Sequence, residues 1–336
     1  MFHFVIFLPS VSFAPNEFAA AERPSAFGPE SVFLYQFDTI GQIAIFIHRD
    51  NMRGYPARYG QSKNSSTSEG RVGAAHVNPL FERYIGIDYS GAETPRSSLK
   101  VLRIYKGDRL TTPQEVEPPP SPRKYWTRRG TAEWLVGILS EGPPTLVGID
   151  HGFSFPLRYF EQHGLPLDWP SFLDDFQRHW PTDEDIYVDF VRDGSSGNGA
   201  ARSGNPRWRR LTELRARTAK SVFHFDVKGS VAKSTHAGIP WLRNIRQHAK
   251  DHVHFWPFDG WSVPPGSSVL AEVYPALWSR TFPSAGRTAD QHDAFTIAEW
   301  LRRADCDGSL ERYFSPDLAP DDRKAAEIEG WILGVE

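Results

Sequence analysis

Two short apolar stretches that end in the same three residues constrain the fold most. Residues 84–88 read Tyr-Ile-Gly-Ile-Asp, and residues 146–150 read Leu-Val-Gly-Ile-Asp. An apolar run of this length predicts a buried strand, and each strand would present an aspartate, Asp88 or Asp150, at its C-terminal end. A carboxylate is costly in apolar surroundings unless it has a partner. We therefore interpret the two aspartates as half of an acidic metal site.

The chain between the two aspartates predicts how their strands are arranged. The pattern predicts three strands before a helix, at residues 83–90, 99–105 and, more weakly, about 110–116. The helix is expected at residues 131–139, whose apolar side chains fall on one face. A strand, a hairpin partner, a helix and a return strand form a crossover, which makes the first and last strands parallel neighbours. Asp88 and Asp150 would then lie at the same edge of the sheet.

The rest of the chain predicts an insertion followed by further core elements. The insertion is placed at about residues 157–260, with helices at 171–180, 208–220 and 238 to about 250. Four core elements are expected near or after its end, two strands and two helices, at residues 252–258, 269–274, 287–303 and 320–332. Residues 1–80 are expected to form a poorly ordered N-terminal extension, and residues 81–336 the domain.

Two further acidic residues extend the predicted site. Glu272 lies inside an apolar strand, and Asp293 lies in the first turns of a helix beside His292. Carboxylates are the ligands that Mg²⁺ or Mn²⁺ would use, and two such ions can clamp the attacking and leaving oxygens of a phosphodiester. We predict that Asp88, Asp150, Glu272 and Asp293 bind metal, and that His292 orients water or contacts phosphate. The alternative is that each caps a loop or favours a helix dipole.

The same residues resemble the motif series of domain-of-unknown-function family 429, which is grouped with the ribonuclease H-like superfamily and described as predicted nucleases. The resemblance covers roughly residues 83–305. It rests on Gly-Ile-Asp88-Tyr-Ser-Gly, Gly-Ile-Asp150-His-Gly-Phe-Ser-Phe-Pro, Ala-Glu272-Val-Tyr-Pro-Ala and Asp290-Gln-His292-Asp293-Ala-Phe-Thr-Ile-Ala. It implies a ribonuclease H-like α/β fold, a mixed sheet of antiparallel hairpin strands and then parallel strands flanked by helices, with the four carboxylates as its site. The middle insertion and the N-terminal extension depart from the family's pattern.

A basic stretch inside the predicted insertion indicates a nucleic-acid partner. Between residues 198 and 233, nine Lys and Arg residues stand against two acidic ones, with Trp208 and Phe223 interleaved. Basic and aromatic side chains together suit a phosphate backbone with stacked bases. We predict substrate contacts from five of these residues: Arg202, Arg207, Arg209, Arg210 and Lys233. The alternative is a solvated helix face whose charges pair with each other.

The overall composition narrows the class of protein without adding a site. The net charge is −3, so any basic surface must be local. The single cysteine, Cys306, excludes an internal disulfide and a cysteine-based zinc site, and it fits a reducing cytoplasm. Residues 32–48 are largely apolar but are interrupted by Gln36, Asp38 and Gln42, so they are not expected to span a membrane. The oligomeric state has no signal in the sequence.

Three functions fit these observations. The first is a nuclease that hydrolyses phosphodiester bonds in RNA or DNA with Mg²⁺ or Mn²⁺ at the carboxylates. The second is a non-catalytic ribonuclease H-like binding module, in which the carboxylates are structural. The third is an actin-like or sugar-kinase-type ATPase, which also places Gly-Ile-Asp loops at nucleotide phosphates. That third function requires a second domain of the same topology.

Overall fold

The computed structural model describes residues 32–36, 43–47, 79–120, 122–249 and 252–336. The chain divides into two compact units, Met1–Val72 and Gly73–Glu336. In the first unit, strands β1 (Val32–Gln36) and β2 (Ile43–Ile47) pair antiparallel. Most of the predicted N-terminal extension lies outside the described residues.

The second unit contains one mixed sheet of six strands. These are β3 (Arg83–Asp88), β4 (Arg103–Asp108), β5 (Gln114–Glu115), β6 (Thr145–Ile149), β7 (Val253–Trp256) and β8 (Ser268–Glu272). Their order is β5-β4-β3-β6-β8-β7. The first three strands pair antiparallel, and β3, β6, β8 and β7 pair parallel. The predicted α/β class and the predicted parallel pairing of the two Gly-Ile-Asp strands are confirmed.

Nine helices in the described residues surround this sheet. They are α1 (Arg128–Ser140), α2 (Leu157–His163), α3 (Trp169–His179), α4 (Val188–Arg192), α5 (Leu211–Arg215), α6 (Ala232–Ala249), α7 (Ala289–Cys306), α8 (Leu310–Phe314) and α9 (Pro320–Glu329). Side chains of α1 and α6 share one apolar core with Ile85 and Val147. Side chains of α7 share the other core with Tyr84 and Leu146. The helices therefore cover both faces. None of them combines the length and apolar composition that crossing a membrane requires.

Close packing of α7 explains the glycine in each Gly-Ile-Asp strand. A Cβ atom on Gly86 would lie 2.2 Å from the carbonyl oxygen of Ala294, and one on Gly148 would lie 2.6 Å from the side chain of Ile297. Gly86 and Gly148 are opposite each other in the parallel ladder. Two glycines side by side thus form a shallow track that lets the helix backbone approach the sheet.

Helix α6 begins six residues before the predicted start at Gly238 and passes through Pro240. Proline has no N–H, so the carbonyl of His236, four residues earlier, loses its helical partner. The hydroxyl of Thr182 donates to that carbonyl at 2.5 Å, which satisfies it. Together with β7, which pairs at the sheet edge, α6 belongs to the core layers. The predicted insertion at about 157–260 therefore contains core elements at its end.

The helix predicted at residues 208–220 is much shorter, because only Leu211–Arg215 is helical. Its neighbours are held in irregular structure by side-chain bonds to the backbone. The guanidinium of Arg209 donates to the carbonyls of Glu213 and Ala219, and the hydroxyl of Ser221 donates to the carbonyl of Trp208. Such bonds compete with the helical pattern that the sequence favours locally.

Candidate functional site

Strand alternation places Asp88 and Asp150 on the sheet face that α7 covers. Asp88 ends β3, and the backbone N–H of Asp150 continues the ladder by donating to the carbonyl of Ile87 at 3.0 Å. Residues two apart in a strand share a face, so both aspartates lie on the same face as Gly86 and Gly148. Asp293 lies in the first turns of α7, which packs against those glycines. Three elements therefore bring three aspartates to one edge of the sheet.

Among the described residues, the three aspartates have no ion-pair partner. All three are partly exposed, and in the described residues none of their carboxylates accepts a hydrogen bond or forms an ion pair. Burial, followed by the charges of Asp150, Asp293 and Asp290, raises the pKa of Asp88 well above its ordinary value. Burial, then Asp293 and Glu272, raises the pKa of Asp150 to about 8. Burial also raises the pKa of Asp293. Mutual repulsion of this kind favours a bound proton or a bound cation.

Glu272 reaches the same edge but lies on the opposite face. It pairs with Ile149 in the ladder, and Ile149 belongs to the core under α1 and α6. Both of its carboxylate oxygens accept from the Arg210 guanidinium, at 2.7 and 2.5 Å, and Oε2 also accepts from the N–H of Phe153 at 3.1 Å. Contrary to the prediction that it binds metal, Glu272 is a structural acid that is already neutralised.

Arg210 likewise differs from its predicted role in substrate binding. Its side chain is only 1% exposed, and it donates to Glu213 at 2.9 Å as well as to Glu272. Burial lowers the pKa of its guanidinium, but Glu272 and Glu213 outweigh burial and leave the pKa raised. A buried cation between two carboxylates organises the protein interior and does not present its charge to nucleic acid.

Three of the other predicted substrate contacts are also engaged within the protein. Arg202 donates to both carboxylate oxygens of Asp175, at 2.8 and 3.0 Å. Lys233 pairs with Asp189 at 2.7 Å, and Arg209 donates to backbone carbonyls. Arg207 is exposed and makes no side-chain bond to a described residue. The ion pairs of Arg202 and Lys233 join them to residues outside the stretch, so they are not the i,i+4 pairs of a solvated helix face.

The ring of His292 is fixed beside Asp293 by a backbone carbonyl. Its Nε2 lies 2.9 Å from the carbonyl oxygen of Ser279. A carbonyl can only accept, so Nε2 carries a hydrogen, and in the neutral ring Nδ1 carries the lone pair. Nδ1 is buried and has no partner among the described residues. His292 thus has one nitrogen held by a carbonyl and one buried nitrogen without a partner among the described residues.

Sequence reasoning missed Arg103, which stands directly opposite Asp88 in the antiparallel ladder. Directly paired residues share a face, so Arg103 lies with the aspartates, and its charge lowers the pKa of Asp88. Its Nη1 donates to Glu115 at 2.8 Å, and the amide of Gln291 on α7 donates to the other oxygen of Glu115 at 2.7 Å. The strand was predicted at residues 99–105, so this pairing had no reliable signal in the sequence.

A depression of about 330 Å³ lies beside the aspartates on the Glu272 side. Its lining includes Asp150, Arg210, Lys220, Glu272 and Tyr274. Lys220 donates to the carbonyl of Lys228 and has no carboxylate partner in the described residues. The depression thus places one lysine without a described carboxylate partner beside Asp150 and Glu272.

Within the described residues, no three His, Cys, Asp or Glu side chains are grouped closely enough to hold a metal ion as they stand. Protein-family models, curated proteins and solved structures were all searched, and none matches this chain. The resemblance to domain-of-unknown-function family 429 accordingly stays a prediction.

Proposed function

We propose that this protein is a divalent-metal-dependent nuclease with a ribonuclease H-like fold, and that Asp88, Asp150 and Asp293 hold the metal. The observation that carries the proposal is their convergence from two strands and one helix, without an ion pair or a hydrogen bond from a described residue to any of the three carboxylates. Three partly buried carboxylates with raised pKa values are costly unless they serve a cation or a proton. A carboxylate set of this kind selects Mg²⁺ or Mn²⁺.

The residues present suit such an ion by their chemistry, because all three offer carboxylate oxygens. Like charges repel, so three carboxylates approach a common point only when a cation draws them together. Each is partly exposed and unrestrained by hydrogen bonds to described residues, so each side chain is free to change its rotamer. Glu272 is excluded from this set because Arg210 occupies both of its oxygens.

Each residue at the site has a distinct proposed role. Bound Mg²⁺ or Mn²⁺ supplies positive charge and Lewis acidity to a phosphodiester. Arg103 offsets part of the negative charge around Asp88. His292, held through Nε2, offers its Nδ1 lone pair to a water or to the substrate. Arg207, exposed in the basic stretch, contacts the nucleic-acid backbone.

Mn²⁺ binding tests the proposal before any substrate is known. Electron paramagnetic resonance should show Mn²⁺ bound by the wild type, and Asp88→Asn or Asp293→Asn should weaken that binding at least about tenfold. Asp317→Asn is the matched control, because Asp317 is exposed and makes no hydrogen bond or ion pair with a described residue. Equal Mn²⁺ affinity in all four proteins would refute the metal site.

Activity is tested with the same variants on single- and double-stranded RNA and DNA. Cleavage that needs Mg²⁺ or Mn²⁺ and disappears in Asp88→Asn supports the proposal. Cleavage of equal rate in wild type and Asp88→Asn would identify a contaminating nuclease. Together with its one cysteine, Cys306, such a protein would suit the cytoplasm.

A non-catalytic module of the same fold is the second candidate. It is favoured by the spacing of the carboxylates, which form no ready-made metal group in the described residues. Failure to bind Mn²⁺ at millimolar concentration, combined with retained nucleic-acid binding, would select this function. The ATPase alternative has less support, because the described part of the second unit contains one sheet and not two domains of one topology.

A further inference from the structure

Glu115, on the short edge strand β5, is held from two sides at the edge of the sheet. Its Oε1 accepts from Nη1 of Arg103 on β4 at 2.8 Å, and its Oε2 accepts from the side-chain amide of Gln291 on α7 at 2.7 Å. The side chain of Glu115 is 30% exposed, and that of Arg103 is 13% exposed. Each oxygen thus has a donor from a different element, so the carboxylate of Glu115 is held in one orientation.

Gln291 attaches this carboxylate to the first turn of α7. The side-chain oxygen of Gln291 accepts from the N–H of Thr288 at 3.0 Å, and the N–H of Gln291 donates to the hydroxyl of Thr288 at 3.3 Å, which forms a capping box. Because the amide oxygen is engaged in the cap, the amide nitrogen is left to donate to Glu115. Asp293 follows two residues after Gln291, so the helix that supplies Asp293 also holds Glu115.

Arg103 has a second carboxylate within reach. Arg103 and Asp88 stand directly opposite each other in the antiparallel ladder, and such residues have Cβ atoms about 4.5–5.5 Å apart on one face of the sheet. The charge of Arg103 acts on Asp88 through space. The guanidinium nevertheless forms its ion pair with Glu115, and no ion pair joins it to Asp88 among the described residues. Two carboxylates therefore compete for one guanidinium, and Glu115 holds it.

We propose that Glu115 is a positioning residue, which holds Arg103 so that the carboxylate of Asp88 stays free to bind a divalent cation. The inference rests on the proposed function, because it concerns the same metal site. Opposite charges on directly paired strand residues attract each other, so a released Arg103 would pair with Asp88. The guanidinium would then occupy a carboxylate oxygen that the cation needs, and its positive charge would repel the cation.

The position of Arg103 decides whether it helps the site or blocks it. Held by Glu115, the guanidinium reduces the repulsion around Asp88 through space and leaves both oxygens of Asp88 available. Paired directly with Asp88, the same charge would neutralise a ligand. Glu115 therefore acts on the metal through Arg103, which distinguishes its role from that of a distant negative charge.

A double-mutant cycle measured by electron paramagnetic resonance with Mn²⁺ tests this role. Glu115→Gln removes the charge that holds Arg103 and leaves one oxygen for two donors. It should weaken Mn²⁺ binding about tenfold, a loss typical of residues that orient metal ligands. In the Arg103→Gln background the competing guanidinium is absent, so Glu115→Gln should change Mn²⁺ affinity less than about twofold. Urea unfolding of each variant shows that the protein measured is folded.

Glu161→Gln is the matched control for the loss of one negative charge. Glu161 is exposed and pairs with Arg158 within α2, so its substitution should leave Mn²⁺ affinity unchanged. An equal loss of affinity on Glu115→Gln in both Arg103 backgrounds would overturn the proposal, because Glu115 would then act through its own charge or through α7. Unchanged Mn²⁺ affinity in Glu115→Gln alone would overturn it as well.

A crystal structure of the Glu115→Gln protein grown in EDTA tests the position of Arg103 without metal. The guanidinium should lie within about 4 Å of the Asp88 carboxylate, the distance of an ion pair. A guanidinium that stays away from Asp88 would overturn the proposal even where the wild type binds Mn²⁺. Absence of Mn²⁺ binding by the wild type would instead refute the proposed function, and this structure would then decide the inference about Arg103 alone.

Discussion

Replacing Glu272 with glutamine tests whether this residue is a structural acid or a metal ligand. The substitution keeps the shape of the side chain but removes its charge, and its amide nitrogen cannot accept from Arg210. Arg210 is 1% exposed and would keep only Glu213 as a charged partner. Breaking a buried ion pair from one side costs about 3–5 kcal/mol. Because Glu213 remains, we expect a loss near 3 kcal/mol, which lowers Tm by roughly 6–12 °C.

The reverse pattern is expected for Asp150→Asn. Burial, Asp293 and Glu272 disfavour the ionised form of Asp150, so a neutral amide relieves repulsion in the metal-free protein. That variant should be as stable as the wild type or more stable at pH 8 in EDTA, yet it should lose Mn²⁺ affinity. Glu272→Gln should lose stability and retain Mn²⁺ affinity. Asp150→Asn should thus change Mn²⁺ affinity without loss of stability, and Glu272→Gln should change stability without loss of Mn²⁺ affinity.

Urea unfolding followed by tryptophan fluorescence measures the stability, and electron paramagnetic resonance measures Mn²⁺ affinity on the same samples. Glu133→Gln is the control, because Glu133 pairs with Arg129 at the surface, where side-chain exposures are 60% and 50%. Its effect should stay within about 0.5 kcal/mol. A Glu272→Gln protein of wild-type stability with Mn²⁺ affinity lowered tenfold would refute the reasoning, and it would return Glu272 to the metal shell.

Three further predictions test other parts of the structure. In EDTA, the free energy of unfolding should fall as the pH rises from about 4 to about 8, because burial raises the pKa of Asp150 from 3.8 to about 8. A carboxyl group whose pKa is raised in the folded state stabilises the fold only while it is protonated. Excess Mn²⁺ should flatten this pH dependence, and Asp150→Asn should weaken it. Gly86→Ala should destabilise the protein by several kcal/mol and weaken Mn²⁺ binding, because its Cβ atom would clash with the α7 backbone. Gly137→Ala, on the exposed face of α1, should instead stabilise the protein by about 1 kcal/mol. If α7 does not pack closely on Gly86, urea titrations would show no loss of stability in Gly86→Ala. Thr182→Val should cost about 1–3 kcal/mol by leaving the buried carbonyl beneath Pro240 without a donor, and an unchanged urea midpoint would count against that account of the helix.

The pairing of β3 with β4 and β6 could be predicted because it follows from connection rules. A hairpin followed by a helical crossover leaves few arrangements for these three strands, and the described sheet has the expected one. The start of α6 could not be predicted from local pattern, because Gly238 and Pro240 both suggest a helix terminus. Their tolerance depends on Thr182, 54 residues away from the carbonyl it satisfies. Tertiary contacts of this kind override helix propensity, and the local sequence does not reveal them.

The sheet face on which Glu272 lies also could not be predicted from the sequence. An apolar strand buried on both sides has no alternation of polar and apolar residues, so the pattern cannot assign faces. Every residue of β8 is buried, as every residue of β6 is. The partner that decides the matter is Arg210, which stands 62 residues earlier in the chain, inside a stretch whose composition favoured nucleic-acid binding.

The repeated sequence Gly-Ile-Asp nevertheless explains why Asp88, Asp150 and Asp293 lie at the same place. Residues two apart in a strand share a face, so each glycine and its aspartate, Gly86 with Asp88 and Gly148 with Asp150, point the same way. The glycines admit the backbone of α7, and the aspartates one step further along the strands then meet its first turns. The intervening isoleucine faces the opposite core and fixes the register. Any residue larger than glycine at those positions would push Asp293 away from Asp88 and Asp150, so packing and site depend on the same two positions.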